Sequence, residues 1–277
     1  MPVIAMTHEM GSLAKDVAVQ LAAELKLAVM RHEVAEHVAG RMHVSTSLIS
    51  RLREGKAGLV ERFRTDERSV AVYTAEEVLE LADRGNVVLR GWGATRWLRP
   101  VPHVLCVRVT RSLARRVEWV TEHLQIDDVA IAEAEVQRSD HAHASRMHQQ
   151  FGVTWGDPLL YDLILNTDRL SVDSCVQAIR QMLQRPEFAE TVGSRAKLHN
   201  MTLEAHVRAA LKAHPATHAV DITLEADAGR LMLRGIVVNA EEHGQSASVA
   251  ASVPGVSAVD NQLRLMSGKK VATPPSP

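Results

Sequence analysis

An unbroken apolar run at residues 3–6 stops at Thr7-His8-Glu9-Met10-Gly11-Ser12, and Leu13, Val17, Leu21 and Leu25 then recur at helical spacing. A short run without polar interruption reads as a strand buried on both faces, and the period that follows reads as an amphipathic helix. Strand, glycine turn and helix in that order form the entry to a nucleotide-binding α/β fold. The spacing predicts further helices over 33–42, 46–53 and 75–84. Gly85-Asn86 then turns the chain into a buried strand at 87–89, and 104–109 reads as another. Helices are expected over 112–123 and 127–150, and a last short strand within 159–165. Ser171 caps a helix to residue 183, with Val172, Val176, Ile179 and Leu183 on one face. Strands alternating with helices predict a mostly parallel sheet covered on both faces.

The pattern changes near residue 200. Residues 202–213 read as an amphipathic helix, and 219–225 and 230–237 alternate apolar and polar positions around the turn Asp227-Ala228-Gly229, a hairpin signal. A helix over 240–251, a turn at Pro254-Gly255 and a strand over 256–265 complete an α-β-β-α-β unit. Residues 1–185 and 201–266 are therefore expected to be two domains. Residues 186–200 read as a linker that is partly helical, and 267–277 as a disordered, Pro-rich tail.

Composition narrows the partners. A hydrophobic fraction of 46% with 23% charged residues is that of a soluble globular protein, and a net charge of −1 gives no electrostatic case for nucleic acid. With 3% aromatic residues, broad base-stacking platforms are not expected. No window resembles a transmembrane segment, and the N-terminus lacks the pattern of a secretory leader. Cys106 and Cys175 lie in apolar runs and read as buried free thiols. The expected location is the cytoplasm, and the expected partners are small molecules and proteins.

A phosphate cradle needs inward-pointing backbone amides, glycines that let the backbone approach, and a lysine. Gly11-Ser12-Leu13-Ala14-Lys15-Asp16 supplies the first glycine and Lys15, but Leu13 and Ala14 occupy the middle. By itself the segment reads equally as a strand-to-helix turn with a solvated lysine. His141, His143 and His148 invite a metal reading, yet residues two apart on a helix face different ways and no Cys or paired carboxylate completes a set. No metal site is assigned. Trp97 and Trp119 read as core. Asp157, Asp162 and Asn166 read as holders of substrate or Mg²⁺, or equally Asp157 as a turn cap before Pro158 and Asn166 as a strand end.

Three blocks carry a resemblance. Residues 151–167, Phe-Gly-Val-Thr-Trp-Gly-Asp-Pro-Leu-Leu-Tyr-Asp-Leu-Ile-Leu-Asn-Thr, are similar to the "FG..W.DP..YDLVLNT" block of the cytidylate-kinase-like family. Asn86-Val87-Val88-Leu89-Arg90-Gly91-Trp92-Gly93 resembles its "NVVIVGRGG" strand and turn, and Thr7-His8-Glu9-Met10-Gly11-Ser12 its "SREMGSGG" loop. The resemblance implies a P-loop kinase-like α/β fold, with ATP on the first loop, a nucleoside monophosphate beside it and an arginine-bearing lid. Carried over, it implies catalytic roles for Lys15, Arg116, Asp140 and Arg146. Gly11, Ser12, Lys15 and Asp16 would contact the nucleotide, and Arg90, Arg96, Asp162 and Asn166 the substrate. Trp92 departs from the family's arginine between two glycines, with Arg90 and Arg96 as candidate substitutes. His143 takes the place of a lid arginine, which a neutral imidazole does not replace at pH 7.

Val220-Asp221-Ile222-Thr223-Leu224, Gly229 to Val237, and Val253-Pro254-Gly255-Val256-Ser257-Ala258-Val259-Asp260-Asn261-Gln262-Leu263 resemble a BON domain. That resemblance implies a protein or small-molecule ligand there and no catalysis. Three functions stay open on these residues. One is a weak or inactive kinase that binds nucleotide and acts as a regulatory module through its BON domain. Another is an active CMP-type kinase using ATP and Mg²⁺. The last is a scaffold that binds no nucleotide.

Overall fold

A computed structural model describes residues 1–266; the tail expected at 267–277 lies outside the described residues. The chain divides into two compact units, Met1–His199 and the part from Asn200 onward.

In the first unit five strands form one parallel sheet: β1 (Val3–His8), β2 (Ala28–Met30), β3 (Val87–Arg90), β4 (Val104–Thr110) and β5 (Leu163–Asn166), in the order β2-β3-β1-β4-β5. The helices between them are α1 (Ala14–Leu25), α2 (His32–Met42), α3 (Thr46–Glu54), α4 (Leu59–Arg64), α5 (Glu67–Arg84), α6 (Ala94–Trp97), α7 (Leu113–Leu124), α8 (Val129–Phe151) and α9 (Val172–Leu183). This is the P-loop kinase-like arrangement. β1 is central, with β3 on one side and β4 on the other, so the loop leaving its C-terminal end opens at the point where strand order reverses. Open α/β sheets bind ligands at that point.

Strand parity sorts the core. Ile4, Met6, Val88, Leu105, Val107, Val109 and Leu165 meet Val17, Leu21, Val176 and Ile179 of α1 and α9 on one face. Cys106 and Arg108 alternate to the other face, which explains how an arginine comes to be buried inside an apolar strand. Both cysteines are free and buried.

Several elements differ from the pattern reading. β2 has three residues, too few for a period to show. α5 begins at Glu67 rather than at 75, because Asp66 caps it through Arg68 N at 3.0 Å and its first turns are only partly buried. Within 159–165 the strand begins only at Leu163. Asp157 caps Leu159 N at 2.9 Å and Pro158 starts a 3₁₀ turn, leaving Leu159 81% exposed. The expected linker holds a 3₁₀ turn at Pro186–Phe188 and the start of α10 (Val192–Ala213). That helix thus opens about ten residues before the apolar period that signals it.

In the second unit β6 (Thr223–Asp227) and β7 (Arg230–Val237) form an antiparallel hairpin, and β8 (Ala258–Leu265) adds parallel to β7. Ala228 and Gly229 both take positive φ, 46° and 84°, as a tight hairpin turn requires. Leu203, Val207 and Leu211 of α10, with Ala250 of α11 (Ala240–Ala251), cover Leu224, Leu231, Leu233 and Leu263. No helix among the described residues is long and apolar enough to cross a membrane.

Leu105 and Leu233 have no exposed surface and sit at the centres of the two cores. Leu105→Ala is expected to lower the stability of the first unit, and Leu233→Ala that of the second, by about 2–5 kcal/mol each, read from urea unfolding curves.

Candidate nucleotide-binding site

The loop from β1 to α1 turns through two left-handed residues. Gly11 has φ 77° and Leu13 φ 62°, so a leucine occupies the left-handed conformation natural to glycine. Ser12 N donates to Glu9 O at 3.2 Å and Thr167 Oγ1 donates to Ser12 O at 2.9 Å, which pins the turn. A Cβ at Gly11 would lie 2.9 Å from the Arg116 carbonyl oxygen, so this position tolerates no side chain. No side chain caps α1, which leaves the positive end of its dipole and its first amides facing outward. Ser12 Oγ is buried without a partner. Leu13, Lys15 and Asp16 line a cavity of about 440 Å³ with Arg111, Arg115 and Trp119. Trp119 is half-buried, packs against the core cluster of Val117, Val120, Ala132 and Val136, and stacks on His123 at 4.4 Å between ring centroids, so it belongs to the edge of that core and also walls the cavity.

An uncapped helix end with Lys15 and Arg111 beside a space of ligand size fits a phosphate group, although Glu118 and Glu122 also line the cavity and Arg115 is paired with Glu118 at 2.9 Å. Mg²⁺ in phosphate-transfer sites is held by one or two carboxylates and the phosphates themselves. Asp16, exposed at the cavity, can supply such a carboxylate.

Behind the loop lies a group that the sequence reading passed over. Glu9 accepts from Arg108 Nη2 at 2.7 Å, from Thr110 Oγ1 at 2.6 Å and from Arg111 N at 3.1 Å. Arg116 Nε lies 3.6 Å from the same carboxylate. Arg116 also forms a bidentate pair with Asp140, both bonds at 2.9 Å. Two of the residues assigned to catalysis therefore hold each other, tying α7 to α8. Arg108 packs 4.3 Å from the Trp155 ring centroid and donates to Trp155 O at 2.8 Å, so the 151–167 block serves as a seat for this cation.

On the other side of the loop, cations converge from five segments. Arg31 precedes α2, Arg53 closes α3, Arg90 ends β3, Arg146 and His143 stand on α8, and His8 ends β1. Trp92 organises them: its Nε1 donates to Arg31 O at 2.8 Å, and the Arg53 guanidinium lies 3.8 Å from its ring centroid. Trp92 has φ 58°, a strained value for a bulky residue, and these two contacts offset the strain. A Cβ at Gly91 would run into the Arg53 guanidinium. Arg146 donates to the Arg53 carbonyl. His143 stacks on Trp155 at 5.2 Å and donates from Nδ1 to Ser139 O at 3.0 Å. Mutual repulsion is visible throughout. Burial, then Arg146 and Arg31, pushes Arg53 well down; Arg90 is lowered to about 10 by burial and Arg31, and Arg146 to about 10 by burial. Burial and neighbouring arginines hold His8 well below its usual range and His143 at about 3.

The remaining assigned residues sit elsewhere. Asp162 is not free for substrate: it pairs with Arg99 and accepts from Cys106 N at 2.8 Å. Asn166 Oδ1 accepts from Asp168 N at 2.9 Å and caps the turn after β5. Arg96 lies over the Phe151 ring at 5.9 Å, and its Nε is buried without a partner. Glu9 falls inside the loop block at 7–12, the signal that could have found it, whereas Arg31, Arg53 and Arg108 carry no spacing signal and only their folded positions reveal them.

Two outcomes follow. Asp140→Ala removes the bidentate partner of Arg116, whose side chain is 8% exposed and keeps only Glu9 at 3.6 Å and the Arg111 carbonyl, and is expected to cost about 1.5–3 kcal/mol in unfolding free energy. His143 titrates near 6.5 when unfolded and about 3 when folded, so the unfolded chain binds the extra proton between those values. Its contribution to stability is complete above about pH 6.5 and is lost as pH falls below it. The urea midpoint is therefore expected to drop between about pH 7 and 5, and His143→Phe, which keeps a ring on Trp155, to flatten that drop.

Comparison with known proteins bears on the family and the fold. Residues 3–169 match the cytidylate kinase-like family and residues 200–266 the BON domain. A cytidylate kinase of Staphylothermus marinus is 24% identical over 156 residues, 55% of this chain and 86% of that one. The crystal structure of an uncharacterised protein from Eubacterium ventriosum superposes with a TM-score of 0.53 at 18% identity, covering 67% of this chain and all of that one. The family match spans more than half of the chain, and the protein belongs to the cytidylate kinase-like family.

Proposed function

We propose that the first unit binds a nucleoside triphosphate at the N-terminus of α1 and the phosphate of a nucleoside monophosphate in the arginine cluster, and transfers the phosphoryl group slowly. In this reading the protein uses nucleotide occupancy more than turnover, as a nucleotide-responsive module whose output runs through the BON domain. The observation that carries it is the Arg116–Asp140 pair beside a loop whose cradle backbone is intact. Binding needs amides and cations, and both are present on each side of Gly11. Fast transfer needs free positive charge on the group in flight. One such contact is worth about 3 kcal/mol in the barrier, a factor on the order of 10² in rate. Arg116 would have to leave a partner worth as much to provide it.

Leu13 acts in the same direction. Its left-handed backbone preserves the turn at a cost of about 1–2 kcal/mol, while its side chain takes space at the mouth of the cavity.

A second reading, an active CMP-type kinase using ATP and Mg²⁺, is favoured by one observation: the cluster around Arg90 keeps four guanidinium groups facing one place. Calorimetry with ATP, ADP and CMP, followed by phosphoryl-transfer assays with Mg²⁺, separates the readings. The proposal expects binding of ATP and CMP with turnover below about 0.1 s⁻¹, against roughly 1–100 s⁻¹ for ordinary kinases. Ordinary turnover that Lys15→Ala abolishes would establish the kinase. No binding at millimolar nucleotide would leave a scaffold. Leu13→Gly is expected to tighten ATP several-fold and leave CMP unchanged.

A further inference from the structure

We propose that the arginine cluster takes up its phosphate oxyanion together with protons, and that His8 and His143 are the groups that receive them. This inference rests on the acceptor-subsite reading above and adds the chemistry by which the subsite recognises charge.

The geometry is specific. The two imidazoles face each other edge to face with ring centroids 6.3 Å apart. His143 Nδ1 donates to Ser139 O, so its neutral ring carries the lone pair on Nε2. His8 Nδ1 is buried with no partner. Cations face these rings from every neighbouring element: Arg90 from β3, Arg53 from α3, Arg31 before α2, and Arg146 from α8. Acidic relief is thin, with Asp16 acting on Arg90, Glu54 on Arg53 and Glu67 on Arg146. Without an anion, protonation of either ring adds a fifth like charge to four. A bound dianion offsets about half of that charge and places an acceptor beside the rings, and a ring in contact with it can then hold a proton and donate it as a hydrogen bond.

Both histidines stand where the family pattern carries arginine, in "SREMGSGG" and in the lid. The substitution exchanges permanent charge for charge that arrives with the ligand. The pocket in this form is narrow, about 20 Å³, room for about one water. An oxyanion enters by displacing the flexible end of Arg146, which lines the pocket and donates to the Arg53 backbone carbonyl.

Calorimetry in buffers of different ionisation enthalpy tests this directly. Sulfate is the probe, because it is a dianion that does not titrate near neutrality; CMP is measured in parallel. At about pH 7 the expected result is net uptake of on the order of one proton per sulfate, with Kd rising up to tenfold per pH unit for each proton coupled. His143→Gln and His8→Asn should each reduce the uptake. His143→Arg should bind tighter than wild type at about pH 8 and lose much of the pH slope. Wild-type binding of sulfate and CMP without protons overturns the coupling and leaves the acceptor subsite standing. Binding of neither overturns both. The wild-type measurement stands even where a variant fails to fold.

Discussion

The carboxylate of Glu9 is the point on which the first unit turns. It lies just past the central strand and gathers Arg108, Thr110 and the Arg111 amide from the β4 side, with Arg116 close behind. Three of these groups are cationic or donating and nearly buried, so an uncharged residue there would leave them unpaired at several kcal/mol. Through Arg116 the network reaches Asp140 and fixes α8 against α7. The arrangement leaves no slack at Gly11, whose hydrogen faces the Arg116 backbone. Loop shape, lid position and the availability of Arg116 are one problem with one solution.

A chain of net charge −1 nevertheless concentrates positive charge. Glu9 and Asp140 neutralise Arg108 and Arg116, whereas Arg31, Arg53, Arg90 and Arg146 share little acidic company. The asymmetry separates structural cations from those that await a ligand. Like charges in a half-buried cleft repel, and the Trp92 ring face under Arg53 offsets part of that repulsion.

Departures from the family pattern preserve backbone shape while changing side-chain chemistry. Leu13 adopts a glycine's φ, and Trp92 sits in the left-handed region between two glycines that do the same. At Trp92 the strain is offset by the bond to Arg31 O and the Arg53 guanidinium over the ring. What changes is which groups carry charge and when they carry it.

The sequence by itself determined the parallel α/β unit, the hairpin-containing second unit and the place of the phosphate loop. Those follow from local periods and turn residues: continuous apolar runs at β1, β3 and β4, the glycine after β1, and the Ala228-Gly229 turn. For Asp157 and Asn166 it offered a ligand role and a turn or strand-end role alike, and their contacts in the fold are those of the second. Only the tertiary structure decided which cations are spent and which are free. Arg116 and Asp162 looked like site residues but are committed to Asp140 and to Arg99, while Arg31 and Arg53 came from helical segments with no motif at all. The reason is physical. A period reports which face of an element is buried, but the partner of a charge depends on residues tens of positions away that only packing brings within 3 Å.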